Sequence, residues 1–286
     1  MTIAALEHEA SRRLGQQGVT DTPDLEARLL MQKATGLGEV GLITHRSDEL
    51  DEATQGTFET LLQQRLSCRP MAYILGHRGF YDLDFIVDER VLVPQPDTET
   101  LVEDVLRTTK ADAGLTLLDL CTGSGCIGIT LARHLGCHVM LSDLSEDALE
   151  VAGINAKRWL DKGQYTLVHS DLFAQIPGTF DLIVSNPPYL TKQWIGEASD
   201  EVRREPMMAL DGLGPDGLAI IRRLASQVTA HLVPKGRVWL ECDYRQATTV
   251  QALLLANGCA SVYIGKDLAG KDRVVVGATD HVRATD

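Results

Sequence analysis

The tetrad Asn186-Pro187-Pro188-Tyr189 follows the apolar run Phe180-Asp181-Leu182-Ile183-Val184-Ser185 without a break. Two consecutive prolines give the backbone no N–H to donate and hold it stiff, and the residue before them is confined to an extended conformation. The side-chain carbonyl of Asn186 and the backbone carbonyl of Pro187 can then face outward as a fixed pair of acceptors, while Tyr189 adds a flat aromatic face. Such a site suits an NH2 group on a planar carrier. An amide nitrogen is a weak nucleophile because its lone pair is delocalised. Accepting both N–H hydrogens would hold that lone pair toward an electrophilic methyl group, so positioning and electrostatics carry the rate and no histidine base is required. The structural alternative for the tetrad is a rigid turn.

A second constellation lies upstream. Leu115-Thr116-Leu117-Leu118-Asp119-Leu120 reads as a buried strand ending in an acid, and Cys121-Thr122-Gly123-Ser124-Gly125-Cys126-Ile127-Gly128 follows at once. Glycines after a strand let the backbone approach a ligand closely and open a helix. The spacing Gly123-x-Gly125-x-x-Gly128 overlaps the dinucleotide fingerprint, a weak signal alone. Asp143 ends the next apolar run, 20 residues after Gly123, the distance expected of a carboxylate accepting from ribose hydroxyls. Its structural alternative is an N-cap for a helix starting near Ser145. In His169-Ser170-Asp171-Leu172, Asp171 either binds an adenine amino group or is a surface loop acid. Together these residues point to a nucleoside ligand, and this segment leaves a nicotinamide dinucleotide open, although Asp119 precedes the turn.

The elements that must position these groups show in the apolar periodicity. Residues 1–75 read as a small helical bundle: Ala4, Leu6 and Ala10, then Thr22 and Pro23 opening a helix through Leu25, Leu29 and Leu30 that Gly36 ends, then Phe58, Leu61, Leu62 and Leu66 before Pro70. From about Ile74 to Pro94 a period of two, with Phe80, Tyr81, Leu83, Phe85, Val87, Val91 and Val93, predicts a hairpin linker over 76–94. Residues 95–286 alternate strand and helix, with strands over 115–120, 138–142, 165–169, 180–185, 236–241 and a terminal pair near 259–264 and 272–277. That pattern predicts an α/β domain with a mostly parallel seven-stranded sheet covered on both faces.

Bulk properties narrow the classes. The chain has 286 residues, 44% hydrophobic and 23% charged, enough for a sizeable core. Its formal net charge of −13 opposes general attraction to a polyanion. Six cysteines form no Cys-x-x-Cys pair and lack histidines at zinc spacing, so no metal is expected and reduced thiols fit a cytoplasmic protein. No apolar run is long enough to span a membrane or to serve as an export signal.

The order Asp119-Leu-Cys-Thr-Gly-Ser-Gly125, Asp143, Asn186-Pro-Pro-Tyr189 resembles the class I (Rossmann-like) S-adenosylmethionine-dependent methyltransferases that modify amino groups on planar carriers. Within them the chain is similar to the HemK/PrmC family, the peptide chain release factor glutamine methyltransferases. The likeness extends over Arg69-Pro70 with Tyr73-Ile74-Leu75-Gly76 and Phe80, Val93-Pro94-Gln95-Pro96-Asp97-Thr98-Glu99, Val202-Arg203-Arg204-Glu205-Pro206 with Ala209-Leu210, and Asp272-Arg273-Val274-Val275. It implies a helical bundle that helps dock a class I release factor, whose Gly-Gly-Gln loop enters beside S-adenosylmethionine. It further implies Cys121, Thr122, Gly123, Ser124, Gly125, Asp143, Leu172 and Asn186 around the cofactor, and Asn186, Pro187, Pro188 and Tyr189 around the glutamine. The residues' own reading adds Asp171 to the cofactor and gives Asn186 and Pro187 the catalytic role. Two positions depart: Gln95 stands where the family usually has arginine, and Cys121 where it has the first glycine of the turn.

Rival readings are a glutamine methyltransferase acting on a large-subunit ribosomal protein, disfavoured by Pro96-Asp97-Thr98-Glu99, and a DNA adenine methyltransferase. The latter also needs an exocyclic amine on a flat ring but requires a phosphate-binding surface. The expected protein is a cytoplasmic monomer that makes no direct contact with nucleic acid or membrane.

Overall fold

The structure, a computed structural model, describes residues 1–280. The chain divides into two compact units: Met1–His77 together with Ser199–Arg204, and Arg78–Ala198 together with the chain from Glu205 onward.

The first unit is built from helices Ile3–Gln17, Pro23–Thr35, Glu39–Thr44, Glu52–Leu66 and Met71–Leu75. Thr2 and Asp51 cap two of them by accepting from Ala5 N and Thr54 N, and Gly18 and Gly36 end two in the left-handed conformation. Thr22 stands at an N-cap but its hydroxyl makes no capping bond; Pro23 alone marks that start. Ile3, Leu14, Leu30, Met31, Phe58 and Leu62 form the core. The periodicity did not reveal the two shortest helices, because five or six residues are too few to repeat. Ile74 and Leu75 belong to the last helix, so the hairpin begins later than the pattern of two implied.

At the centre of this unit Arg65 is buried on the same stripe as Phe58 and Leu62. Its guanidinium grips Glu26 at 2.6 and 3.0 Å and donates to the carbonyls of Val19 and Arg69. The returning segment supplies Glu201, which meets Arg65 at 3.3 Å and accepts from Met71 N at 3.2 Å. A buried charge keeps its value only while paired.

The second unit begins at Arg78, the second residue of a hairpin formed by β1 (His77–Phe80) and β2 (Leu83–Ile86), after which Val87, Val91 and Val93 are buried in an irregular segment rather than a strand. The sheet strands are β3 (Thr116–Leu120), β4 (His138–Asp143), β5 (Tyr165–His169), β6 (Phe180–Ser185), β7 (Leu232–Glu241), β8 (Ser261–Lys266) and β9 (Asp272–Ala278). Their order is β5-β4-β3-β6-β7-β9-β8; β9 runs antiparallel to both its neighbours, and the other pairings are parallel. β7 starts four residues earlier than periodicity suggests: Leu232 pairs with Phe180 before a register irregularity, and regular pairing resumes at Leu182 with Arg237. Leu118, Leu120, Ile183, Val238 and Leu240 pack with Ile221, Leu224, Val250 and Leu254 of the helices Ala219–Val228 and Ala247–Ala256. Asp119, of opposite parity in β3, meets the helix Cys126–Leu135. Short helices Lys192–Glu197 and Met207–Leu210 were not anticipated.

Replacing Arg65 with Ala should destabilise the first unit by about 3–5 kcal/mol, because Glu26 is left charged in the core. The double replacement Glu26→Leu with Arg65→Met should recover most of that loss. Urea midpoints that do not move in Arg65→Ala would show that the pair contributes nothing.

Candidate active site

β3 pairs in parallel with both β4 and β6, so the strand order reverses there and the carboxyl ends of β3 and β6 lie side by side, with Leu120 opposite Ser185. Ser185 Oγ donates to the Leu120 carbonyl at 2.7 Å. The glycine turn and the Asn-Pro-Pro-Tyr tetrad therefore emerge next to one another, where open α/β sheets bind ligands. A cavity of about 340 Å3 opens at this point, within the size of small-molecule sites.

The turn is held by its own hydrogen bonds. Thr122 N donates to Ser142 O at 3.0 Å, Gly125 N to Thr122 O at 2.8 Å, and Gly123 N to Asp143 Oδ2 at 2.9 Å. Asn155, fully buried on the helix Glu146–Trp159, joins the end of the hairpin to the turn, accepting from Ile86 N and donating to the carbonyls of Ile86 and Ser124. Gly128 is required by space: a Cβ there would meet Asp119 and Leu141 side-chain atoms at 2.6 to 2.8 Å. Asp119 uses that closeness. Its Oδ2 accepts from Gly128 N at 2.9 Å and from Thr122 Oγ1 at 2.6 Å, while Oδ1 is buried without a partner among the described residues. Burial pushes Asp119 up to about 7.

Asp119 thus fills the helix N-terminus where a dinucleotide's pyrophosphate would sit. The lining carries Glu89, Asp143, Asp147 and Asp171; its one arginine, Arg90, is bound to Asp88 at 2.7 Å and Glu150 at 3.0 Å. An acid-rich wall of this kind disfavours a phosphorylated ligand and suits a cationic one.

Of the residues singled out by sequence, Cys121, Thr122, Gly123, Ser124, Asp143, Asp171, Leu172, Asn186 and Pro188 line the cavity. Gly125 lies behind the lining as the last residue of the turn. Pro187 is buried, and the Tyr189 ring packs against the core while its hydroxyl donates to Glu241 Oε1 at 3.1 Å. Asp143 is not the cap of the next helix; Ser145 is, and Asp143 Oδ1 accepts from Ser145 N. Burial raises the Asp143 pKa, opposed by its backbone donors. Asp171 pairs with Arg223 at 2.7 Å, both half exposed. Cys121 and Leu172 hold φ of 56° and 51°, strained values for side chains of this size, and both face the cavity.

The opposite wall was not read from local chemistry. It comprises residues 89–95 with Thr98, and Pro206, Met208, Ala209 and Ile220. Buried Glu205 fixes it by accepting from Val93 N at 2.8 Å. Gln95 folds back to donate to Val93 O at 3.0 Å. Sequence signals for these residues are the likeness of 93–99, 202–206 and Ala209-Leu210 to a family pattern and the alternation through Val91 and Val93, which reads as a hairpin.

Two measurements follow from this geometry. An acid held up to about 7 in the fold and near ~4 when unfolded stabilises fully at low pH and loses that contribution as pH rises through about 7. Unfolding free energy of the ligand-free native chain should therefore fall relative to Asp119→Asn between about pH 4 and about pH 7, by at most about 1.4 kcal/mol per pH unit; parallel curves would refute the buried acid. Asp143→Ala should weaken S-adenosylmethionine binding roughly 10–100-fold in calorimetry, and an unchanged Kd would leave Asp143 only the task of holding Gly123.

Comparison with known proteins agrees with this architecture. Residues 5–76 match the family model of the PrmC N-terminal domain, and residues 96–205 that of the methyltransferase small domain. A release factor glutamine methyltransferase of Caulobacter vibrioides is 36% identical over 97% of this chain and 96% of its own. One from Bordetella pertussis is 38% identical over 88% and 93%. The crystal structure of a methyltransferase from Pyrococcus furiosus, 21% identical, superposes with a TM-score of 0.53 over 70% of this chain and 91% of that one, sharing the fold. The seven-stranded sheet, the acid-lined cavity at its switch point and these near full-length likenesses agree, and the chain belongs to the family of release factor glutamine methyltransferases.

Proposed function

We propose that this chain transfers a methyl group from S-adenosylmethionine to the side-chain amide nitrogen of the glutamine in the Gly-Gly-Gln loop of class I release factors. The observation that carries this reading is that Asn186 lines the same cavity as Cys121, Thr122, Gly123 and Asp143. A planar amide held by Asn186 would thus face the ligand held by the turn. When bound, S-adenosylmethionine supplies an electrophilic methyl carbon on a cationic sulfonium. The chain's residues do the rest by placement. The turn and Asp143 hold the nucleoside, and Asp171 and Leu172 border its base. Asn186 Oδ1, at the end of the carboxamide opposite the Nδ2–Thr98 bond, and the Pro187 carbonyl accept the two amide hydrogens. Those acceptors grow in value as the nitrogen gains positive charge in the transition state. Pro188 and Tyr189 complete the glutamine site, the first as wall and the second as support.

Docking of the release factor body falls to the helical unit of residues 1–75, where Val40 and Ile43 are exposed on the helix Glu39–Thr44. The catalytic domain then runs from 95 to 286, with 76–94 between them. The protein acts in the cytoplasm as a monomer. No helix among the described residues is long and apolar enough to cross a membrane, and all six cysteines are free. A net charge of −13 speaks against DNA as the carrier of the amine.

Incubation of the chain with a release factor and S-adenosylmethionine should add one methyl, mapped by mass spectrometry to the Gly-Gly-Gln glutamine. Asn186→Ala should lower kcat by about 10²-fold or more with S-adenosylmethionine binding retained. Methylation elsewhere, or a fully active Asn186→Ala, would refute this reading.

A further inference from the structure

Two parts of the pattern have no role so far, Pro96-Asp97-Thr98-Glu99 and Asp272-Arg273, and the fold brings them together behind the tetrad. Asn186 Nδ2 donates to Thr98 Oγ1 at 3.2 Å. Thr98 and Glu241, the last residue of β7, are both buried. Glu241 Oε1 accepts from Tyr189 Oη at 3.1 Å. The Thr98 hydroxyl also faces that carboxylate, without completing a bond of good geometry, and Oε2 has no partner among the described residues. Arg273, bound to Asp97 at 2.8 Å and Asp267 at 3.1 Å, supplies positive charge nearby.

We propose that Glu241 and Thr98 are positioning residues that fix which end of the Asn186 carboxamide faces the cavity, turning Nδ2 to Thr98 and leaving Oδ1 for the substrate amide. This deepens the glutamine transfer proposed above and rests on it.

The two ends of a carboxamide are nearly equal in size, so shape alone does not orient it. A carboxylate offers only lone pairs. Tyr189 gives its hydrogen to Glu241, and in the proposed arrangement the Thr98 hydroxyl turns its own toward the same carboxylate. With its hydrogen so used, Thr98 Oγ1 presents only lone pairs to Asn186, and these select the amino end. A flipped carboxamide would oppose oxygen to oxygen and offer N–H groups to a substrate nitrogen that itself has only N–H groups to give. Protonating Glu241 removes the constraint, since the acid becomes a donor and frees the Thr98 hydrogen. The groups facing Glu241 are Tyr189, Arg273, Asp97, Cys126 and Cys242. Burial pushes Glu241 up to about 6, with Thr98, Tyr189 and Arg273 opposing, and burial keeps both thiols neutral.

The test pairs kinetics with a measurement made without transfer. Thr98→Val, which keeps shape and loses the hydroxyl, should lower kcat about 10–100-fold with KM for S-adenosylmethionine within about twofold, and Thr98→Ser should restore it. The native pH profile of kcat should fall on its acid side through about 6, and Glu241→Gln should lack that limb. In the ligand-free native protein the Asn186 NH2 resonances should exchange slowly with solvent, and in Thr98→Val they should shift and lose protection. Native kcat and resonances in Thr98→Val, or an unchanged acid limb in Glu241→Gln, would overturn the proposal. A chain that methylated no release factor would instead sink the proposed function, and the resonances would still decide how the carboxamide is held.

Discussion

The parallel pairing of β3 with β6 is the constraint on which the site depends. Leu120 and Ser185 are 65 residues apart in sequence yet adjacent across the sheet, tied by the Ser185 hydroxyl. Each strand ends into a segment that cannot relax. After β3 the chain must turn within the space left by Gly128 beside Asp119, and after β6 two prolines hold it extended. Two stiff segments leaving neighbouring strands fix the distance between donor and acceptor sites without help from a mobile loop.

Electrostatics then chooses the ligand. The α/β switch point is shared with dinucleotide enzymes, which use the helix N-terminus as an anion site. Here that position is taken by Asp119, the lining is acidic, and Arg90 is already neutralised. Unpaired acids in low dielectric are costly. Burial raises the pKa of Asp143 within the lining and of Asp119 and Glu241 behind it, and a bound cation would favour their charged forms.

The second unit was legible because buried parallel strands leave continuous apolar runs, and β3, β4 and β6 ended within a residue of their expected limits. The turn, Asp143 and Asn186 stood out because glycine, proline and strand-terminal acids each answer a local geometric demand. The far wall did not. Val91, Val93 and Pro94 shape the cavity through tertiary placement fixed by Glu205, and their alternation imitated a longer hairpin. Arg65 and Glu201 were equally silent, since a charged residue on an apolar stripe gives no hint of a partner 136 positions away. Tyr189 was read for its ring, whereas its hydroxyl makes the bond that the structure shows.

Ser199–Arg204 leaves the α/β unit, joins the helices and returns. The polypeptide thus crosses between its two bodies three times, and no single scission separates them intact. A fragment starting at Arg78 would carry Glu201 without Arg65, and one ending at His77 would keep Arg65 without Glu201. The helical body therefore draws residues from both sides of the Arg78–Ala198 stretch, and its buried arginine cluster is complete only when all of them lie on one polypeptide.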